Sequence, residues 1–351
     1  SKFKLIASNF PNRNVCAYFD FDISQPYDPA INPNLQQYFT WIQQILDAAL
    51  AEQMKIILVS GGGDYFINEI MAPDPNYPVT SIKEQHAMDY QAYLTSLADY
   101  FQSSSTLFAY DLINEPGGIQ DIFHKKGEVC KWVTWWYDAL KRNDHAPFVT
   151  IGLQGSDDVF IWDPSILKID FVSEHIYPIF KPNEYSNIST AVNIARNRYI
   201  NQLAWLKNNL AMPWIIGETG FVADDDVPSS YQELPYVFGS ENDQSDFAEY
   251  SINESYFAGA SGYSWWMFQN VAWFPPSFRN DYSQNWYGIL RFANPDALGE
   301  YKISDRKPAV NKINQFSTNN SGTFSGPDNN YYNLFLHPPS VNSVSGQVID
   351  Q

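Results

Sequence analysis

Short runs of apolar, β-branched and aromatic residues alternate along the chain with longer segments in which apolar residues recur every three or four positions. This alternation is typical of parallel strands that are covered by helices. The short runs predict strands at 55–60, 107–113, 148–153, 169–174, 214–218 and 262–267. The N-terminal stretch 3–22 supplies one or two further strands.

The helical period is clearest over 35–52, where Leu35, Phe39, Ile42 and Leu46 share one face. Further helices are predicted at 84–102, 130–142, 189–210 and 243–258, and a closing helix at 306–316. Together these elements make roughly eight strand–helix repeats, which predicts an α/β fold of the (β/α)8 TIM barrel class. The active site of such a barrel lies at the C-terminal ends of its strands.

The two ends of the chain depart from this repeat. The segment between the apolar runs 5–9 and 15–20 is too short for a helical crossover, so the first β/α unit is predicted to be degenerate or incomplete. Beyond Phe316 the chain becomes rich in Ser, Asn, Gly and Pro, and 344–351 alternates like a strand. We therefore predict a barrel domain at 1–317 and, at 318–351, a linker with the first strand of a truncated β-domain.

Charge and composition exclude several kinds of function. The 351 residues include 21 Lys and Arg against 39 Asp and Glu, a formal net charge of −18, which argues against nucleic-acid and anionic-membrane surfaces. No apolar run is long enough for a membrane span, and no export signal opens the chain. The two cysteines, Cys16 and Cys130, are interpreted as buried thiols, and the five histidines form no zinc motif. No metal or other cofactor is expected.

Two glutamates directly follow predicted strands. Glu115 comes after 107–113, and Glu218 ends the strand 214–218. In a barrel they would lie on strands four and seven and face each other across the mouth. Facing carboxyl groups are the machinery of glycoside hydrolysis, with a separation of ~5 to 5.5 Å for retention and ~6.5 to 9.5 Å for inversion. The sequence leaves this separation open.

Four short motifs occur in order at the ends of successive predicted strands: DLINEP at 111–116, EHIYP at 174–178, IIGETGF at 215–221 and YSWWMFQN at 263–270. Together they resemble the retaining glycoside hydrolases of clan A, most closely family 5, the cellulase and mannanase family. The resemblance covers residues 20–317. It implies a glycosidase, an endo-β-glycanase that cleaves β-linked poly- or oligosaccharides without a cofactor.

The resemblance also implies roles for individual residues. Glu115 would be the general acid/base and Glu218 the nucleophile. Asn114 would bind the sugar 2-hydroxyl or the nucleophile, His175 would orient the acid/base or a sugar hydroxyl, and Tyr177 would donate its hydroxyl to Glu218.

Aromatic and amide side chains after the last strand are candidates for substrate binding. Trp266 would form the platform under the sugar, while its neighbour Trp265 points the other way and packs in the core, because successive strand residues alternate faces. Gln269, Asn270 and Trp273 would line further sugar subsites. The tryptophans of the helix 130–142 are expected to pack in the core.

The pattern departs from family 5 in two places. Members usually carry an arginine at the end of strand two and a histidine at the end of strand three, whereas here strand three ends in Ser60 and glycines, and Arg13 precedes its strand. A divergent neighbouring family therefore stays open, as do a catalytically silent carbohydrate-binding barrel, a transglycosylase and an inverting enzyme. The expected partner is a saccharide substrate, with further modules in a longer chain, and the expected location is secreted, periplasmic or cell-surface.

Overall fold

The computed structural model describes residues 4–6, 30–60, 79–116, 126–154, 162–177, 188–223, 225, 239–270, 285–291 and 306–327. Within these ranges, parallel strands alternate with helices along the chain. The predicted class, a (β/α)8 barrel, is confirmed.

The strands of the described chain are β1 Lys4–Ile6, β2 Ile56–Val59, β3 Leu107–Asn114, β4 Phe148–Leu153, β5 Val172–Ile176, β6 Trp214–Thr219 and β7 Gly262–Ser264. They form one parallel sheet in the order β1-β7-β6-β5-β4-β3-β2. The first strand thus pairs with the last, which is the neighbour relation that curls a sheet into a barrel. The predicted strand 15–20, with Cys16, and the nearby Arg13 lie outside the described residues.

The helices are α1 Pro33–Ala51, α2 Val79–Tyr100, α3 Lys126–Leu140, α4 Ile188–Asn209, α5 Glu241–Ala258 and α6 Ala309–Gln315. Local chemistry sets their ends. The side chain of Asn32 accepts the first free N–H groups of α1. A capping box of Ser240 and Asp243 begins α5, and Gly259 ends it at a φ of 106°. None of the described helices is long and apolar enough to cross a membrane.

Two strand boundaries differ from the prediction by three residues. β5 begins at Val172 and not at residue 169, because Asp170 lies in a bend where its carboxylate accepts the N–H of Val149 at 2.8 Å. β7 ends at Ser264, three residues early, because the chain from Met267 onward hydrogen-bonds to the segment 287–290. The last strand is therefore shorter than its apolar run.

The main core lies between the sheet and the helices. Its largest fully buried side chains include Tyr90, Trp136, Trp162, Tyr199 and Phe247. Trp132 and Trp136 of α3 are buried in this core, as predicted, and Trp135 packs against it. Cys130 of the same helix was expected to be buried, but it is half-buried because it lies at the edge of the helix face, where its thiol contacts the carbonyl of Ile166.

A smaller cluster lies inside the barrel. Ala109, Phe171 and Ile215 are buried against one another, with Ile57 and Phe108 packed beside them. Each of these residues belongs to the first half of its strand or directly precedes it. The N-terminal half of the barrel interior is therefore an apolar floor, and buried polar side chains lie above it, toward the C-terminal strand ends.

Residues 316–327 run back over α5. The rings of Phe316 and Tyr256 are 5.6 Å apart, and the Tyr256 hydroxyl donates to the carbonyl of Thr318 at 2.8 Å. The N–H of Ser325 donates to the carboxylate of Glu254 at 3.0 Å. The predicted domain boundary after residue 317 stays a prediction.

Candidate active site

Glu115 follows an irregularity in the pairing of β3 with β4. Asp111 pairs with Thr150, but Asn114 pairs with Gly152, so β3 carries one extra residue just before the glutamate. Bulges of this kind re-aim side chains and are common next to active sites. The extra residue changes the register of β3 just before Glu115, and Asn114 is half-buried there.

Glu218 follows a second irregularity, on the other side of the barrel. Glu174 pairs with Ile216, but His175 pairs with Glu218, so β6 carries the extra residue here. Strict alternation would place Glu218 on the same face as Ile216, which packs in the core outside the barrel. The bulge instead brings Glu218 beside His175.

The backbone at Glu115 is strained. Its φ is 49°, in the left-handed region, which costs a residue with a side chain on the order of 1–3 kcal/mol. The N–H of Glu115 donates to the carbonyl of Gly152 at 2.8 Å, which holds this conformation in place. Such strain persists where surrounding structure over-determines it, and active sites are a frequent location.

Four of the predicted site residues meet in one cluster. Nδ1 of His175 lies 3.0 Å from Oε1 of Glu115 and 3.7 Å from Oε2 of Glu218. The Tyr177 hydroxyl donates to Oε2 of Glu218 at 2.7 Å. The imidazole therefore lies between the two glutamates, and the phenol fixes the carboxylate of Glu218.

The two carboxyl groups are close together. One carboxylate oxygen of Glu115, one of Glu218 and a ring nitrogen of His175 all lie within 4.8 Å of one another. The side chains of Glu115 and Glu218 are 25% and 16% exposed, so both are partly accessible to solvent. The arrangement presents two acids to a group that enters from above.

Burial and neighbouring charges set the protonation of this cluster. Burial raises the pKa of Glu218, although the charge of His175 and the Tyr177 hydrogen bond act to lower it. Burial alone would lower the pKa of His175, but the carboxylates of Glu218, Glu115 and Asp111 raise it to about 9. These charges favour the imidazolium form of His175, in which Nδ1–H donates to Glu115.

Glu115, His175 and Glu218 have the residue types of a metal-binding set. A histidine ligand must be neutral, whereas the carboxylates of Glu218, Glu115 and Asp111 raise the pKa of His175 and so favour its protonated form. Its Nδ1 and the Glu218 carboxylate are also engaged in hydrogen bonds within the cluster. We therefore interpret the three as an acid–base cluster.

The two tryptophans after β7 lie in different surroundings. Trp265 is 5% exposed and packs in the core. Trp266 is half-buried, and its N–H donates at 2.7 Å to the carbonyl of Thr219, the residue after Glu218. This places Trp266 beside the nucleophile candidate at the barrel mouth.

The other predicted substrate-binding residues lie further along this loop. Gln269 is half-buried and pairs with Leu290. Asn270 is only 1% exposed, and its side-chain oxygen accepts a hydrogen bond from the buried ammonium of Lys307 at 3.1 Å. Trp273 lies outside the described residues. The substrate-binding roles of all three stay predictions.

Two residues at the site, Tyr287 and Asp111, were not among those predicted from the sequence. The ring of Tyr287 meets that of Tyr177 edge-on, with centroids 5.6 Å apart. Asp111 is 3% exposed, inside the barrel beneath the cluster. A signal for Asp111 was present, since a carboxylate within the otherwise apolar strand 107–113 has to be buried beside compensating groups. Tyr287 carries no such signal.

The parallel barrel with facing glutamates at its mouth defines the class of (β/α)8 glycoside hydrolases. Within that class, a family model described as cellulase (glycosyl hydrolase family 5) matches residues 19–269. The chain belongs to this family. The resemblance inferred from the four motifs is thereby confirmed, despite the missing histidine at the end of strand three.

Solved structures of a β-glucuronidase from Ruminococcus gnavus share the fold. The complex with C6-substituted uronic isofagomine aligns with a TM-score of 0.52 at 15% identity, covering 81% of this chain and 42% of that chain. The complex with uronic isofagomine aligns with a TM-score of 0.52 at 16% identity, covering 81% and 44%. The chain thus spans less than half the length of these neighbours. No curated protein sequence matches the chain.

Proposed function

We propose that the chain is a retaining glycosidase that hydrolyses β-linked poly- or oligosaccharides by double displacement. Glu218 attacks the anomeric carbon while Glu115 gives its proton to the departing oxygen, which forms a glycosyl-enzyme ester. Glu115, now a carboxylate, then takes a proton from a water molecule whose oxygen attacks the same carbon. The bond to Glu218 breaks, and the sugar leaves with net retention.

The observation that carries this proposal is the short distance between the two acids. One carboxylate oxygen of Glu115 and one of Glu218 lie within 4.8 Å of each other. Retaining enzymes hold the two groups ~5 to 5.5 Å apart, whereas inversion needs ~6.5 to 9.5 Å so that a water fits between them. The distance supports direct attack by one carboxylate.

The neighbouring side chains support the division of roles. Tyr177 donates to Glu218, and a hydrogen bond to the ionised form favours the carboxylate that a nucleophile needs. His175 donates to Glu115 and would stabilise the negative charge that this group acquires when it gives up its proton. We assign Asn114 to the sugar 2-hydroxyl and Trp266 to the sugar face, as the motifs of the family imply.

For the substrate we propose a neutral β-glycan cleaved internally, outside the cytoplasm. The family description, cellulase, supports a polymer too large to enter a cell. The structural neighbours are β-glucuronidases, which makes uronic acids the competing substrate class. The net charge of −18 disfavours a polyanionic substrate by long-range repulsion.

The test is a screen of the purified protein against aryl β-glycosides, including a β-glucuronide, and against β-glucans, mannans and xylans. Proton NMR of the first product then reports the anomer: a β product before mutarotation supports retention, and an α product contradicts it. Glu218→Gln should remove turnover. Glu115→Gln should slow glycosides with poor leaving groups far more than activated aryl glycosides, because only the former need the acid.

Glu249→Gln is the matched control, since Glu249 is an exposed glutamate of α5 whose partner is Lys312. It should hydrolyse every substrate at the wild-type rate. Products longer than the substrate would identify a transglycosylase. Saturable oligosaccharide binding without turnover, in the wild type and in Glu218→Gln alike, would refute the enzyme and identify a carbohydrate-binding barrel.

A further inference from the structure

Asp111 is a buried carboxylate that the double displacement does not use. It lies in β3, four residues before Glu115, and is 3% exposed. Its Oδ1 accepts the N–H of Gly152 in the neighbouring strand β4 at 2.9 Å. This hydrogen bond ties β3 to β4 next to the bulge that presents Glu115.

Gly152 brings Asp111 and His175 to the same place. A Cβ at position 152 would lie 2.8 Å from Oδ2 of Asp111 and 2.8 Å from Nε2 of His175. Both atoms therefore converge on the space that the glycine leaves open. On the other flank, a Cβ at Gly217 would lie 3.0 Å from the same ring nitrogen and 2.0 Å from the hydroxyl of Ser173. Two glycines form a slot for the imidazole.

Carboxylates lie near both nitrogens of the His175 ring in this slot. Nδ1 points to the two glutamates, and Nε2 is on the side of Asp111. The titratable groups of the described residues that surround the ring are Asp111 from β3, Glu115 after β3, Tyr177 after β5 and Glu218 from β6. The charges of the described residues that act most on the pKa of His175 are all carboxylates, those of Glu218, Glu115 and Asp111.

We propose that Asp111 is a positioning residue for glycoside hydrolysis, which fixes the slot of His175 through Gly152 and holds that imidazole in its charged form between Glu115 and Glu218. The inference rests on the proposed function of the two glutamates. It explains why a carboxylate lies in the barrel interior, where its burial is unfavourable without compensating groups. Consistent with this coupling, burial raises the pKa of Asp111 to about 7 while the charge of His175 and the Gly152 N–H act to lower it.

The imidazolium has a defined task in each half-reaction. Before attack, the charge on Glu218 neighbours it at 3.7 Å; after glycosyl transfer, that charge is in an ester, and the new carboxylate is Glu115 at 3.0 Å. An imidazolium fixed between the two positions balances the charge in both states. Asp111, when ionised, favours the protonated ring in both states.

The test is Asp111→Asn, which keeps an oxygen for the Gly152 N–H and removes the charge. Asp170→Asn is the matched control, because Asp170 also accepts an N–H of β4, that of Val149, at the other end of the strand. The ring signals of His175, assigned with His175→Gln, are titrated by NMR in all three proteins. We expect the pKa of His175 to fall by about one pH unit or more in Asp111→Asn only.

The second readout is the pH profile of kcat/KM on an activated aryl glycoside. Its alkaline limb should move to lower pH in Asp111→Asn by the same amount as the His175 titration, and Asp170→Asn should match the wild type. Both measurements are repeated with Asp111→Ser, in which a smaller, uncharged side chain still offers an acceptor. A His175 titration that is unchanged in Asp111→Asn and Asp111→Ser overturns the inference.

The two proposals can fail separately. If the wild type hydrolyses nothing, the proposed function is wrong, but the NMR titration still reports whether Asp111 holds the proton on His175. If the wild type is active and the titration moves while the pH profile does not, the charge of His175 has no role in turnover and the positioning role is refuted.

Discussion

The left-handed backbone at Glu115 predicts that a variant with glycine at this position is more stable than one with alanine. Two non-glycine residues of the described chain have a positive φ: Glu115 at 49° and Gln53 at 55°. The left-handed conformation costs an L-residue roughly 1–2 kcal/mol, and the greater freedom of an unfolded glycine returns roughly 0.5–1 kcal/mol of this. Glu115→Gly should therefore exceed Glu115→Ala in free energy of unfolding by about 0.5–1 kcal/mol.

Comparing glycine with alanine isolates the backbone, because both variants remove the same carboxylate from the side of Glu218. Gln53 is the matched control, since it is exposed and lies in the turn after α1, far along the chain from the site. The pair Gln53→Gly and Gln53→Ala should show the same difference without loss of activity. Calorimetry measures it as a gain in Tm of about 1–3 °C for each glycine over its alanine.

The result that refutes this reasoning is an asymmetric one. If Gln53→Gly exceeds Gln53→Ala while the two Glu115 variants unfold at the same temperature, the backbone at Glu115 stores no strain. If neither pair differs, the cost of a positive φ is compensated at both positions. The expected outcome, a gain at both, would show that the acid/base residue is held in place at the expense of stability.

Three other substitutions test contacts of the site. Gly152→Ala should lower kcat/KM on the order of 10²-fold, because the new Cβ would displace the imidazole of His175 and the carboxylate of Asp111. The control is Gly127→Ala, which should leave the kinetics unchanged because nothing lies within 4 Å of its Cβ. Tyr177→Phe removes the hydrogen bond that lowers the pKa of Glu218, so this nucleophile stays protonated to a higher pH. The acidic limb of the kcat/KM profile should therefore shift to higher pH by about 1–2 units. Lys307→Met should lower the free energy of unfolding by about 1–3 kcal/mol in urea, because it leaves buried carbonyl acceptors without their ammonium donor; an unchanged midpoint would contradict this.

Hydrophobic periodicity was sufficient for the order of elements. The six predicted strands and six predicted helices are present. Each is marked by the spacing of its apolar side chains, 2 residues in a strand and 3.6 in a helix, and by a length that few other structures would fit. The ends were less predictable. Ile169 and Phe171 extend the apolar run before β5, yet the strand starts later because the carboxylate of Asp170 bonds to β4, a contact between distant segments.

The site was predictable in its chemistry but not in its geometry. A glutamate directly after each of two strands indicated facing carboxyl groups, and the spacing of His175 and Tyr177 indicated that both would point the same way. The bulges in β3 and β6 could not be predicted, since an extra residue in one strand is defined only relative to its partner. Gly152 was missed for the same reason: its lack of a side chain matters only because two distant side chains converge there.

The segment that returns over α5 changes where a working fragment of this protein should stop. A chain cut after residue 317 would lose Ser325, the donor to the carboxylate of Glu254, a helix residue that is only 7% exposed. It would also uncover the ring of Phe257, against which Gly322 approaches too closely for any larger residue. Expression of the barrel for kinetics or crystallisation should therefore retain the residues through 327, and the shorter fragment should show lower solubility and an earlier melting transition.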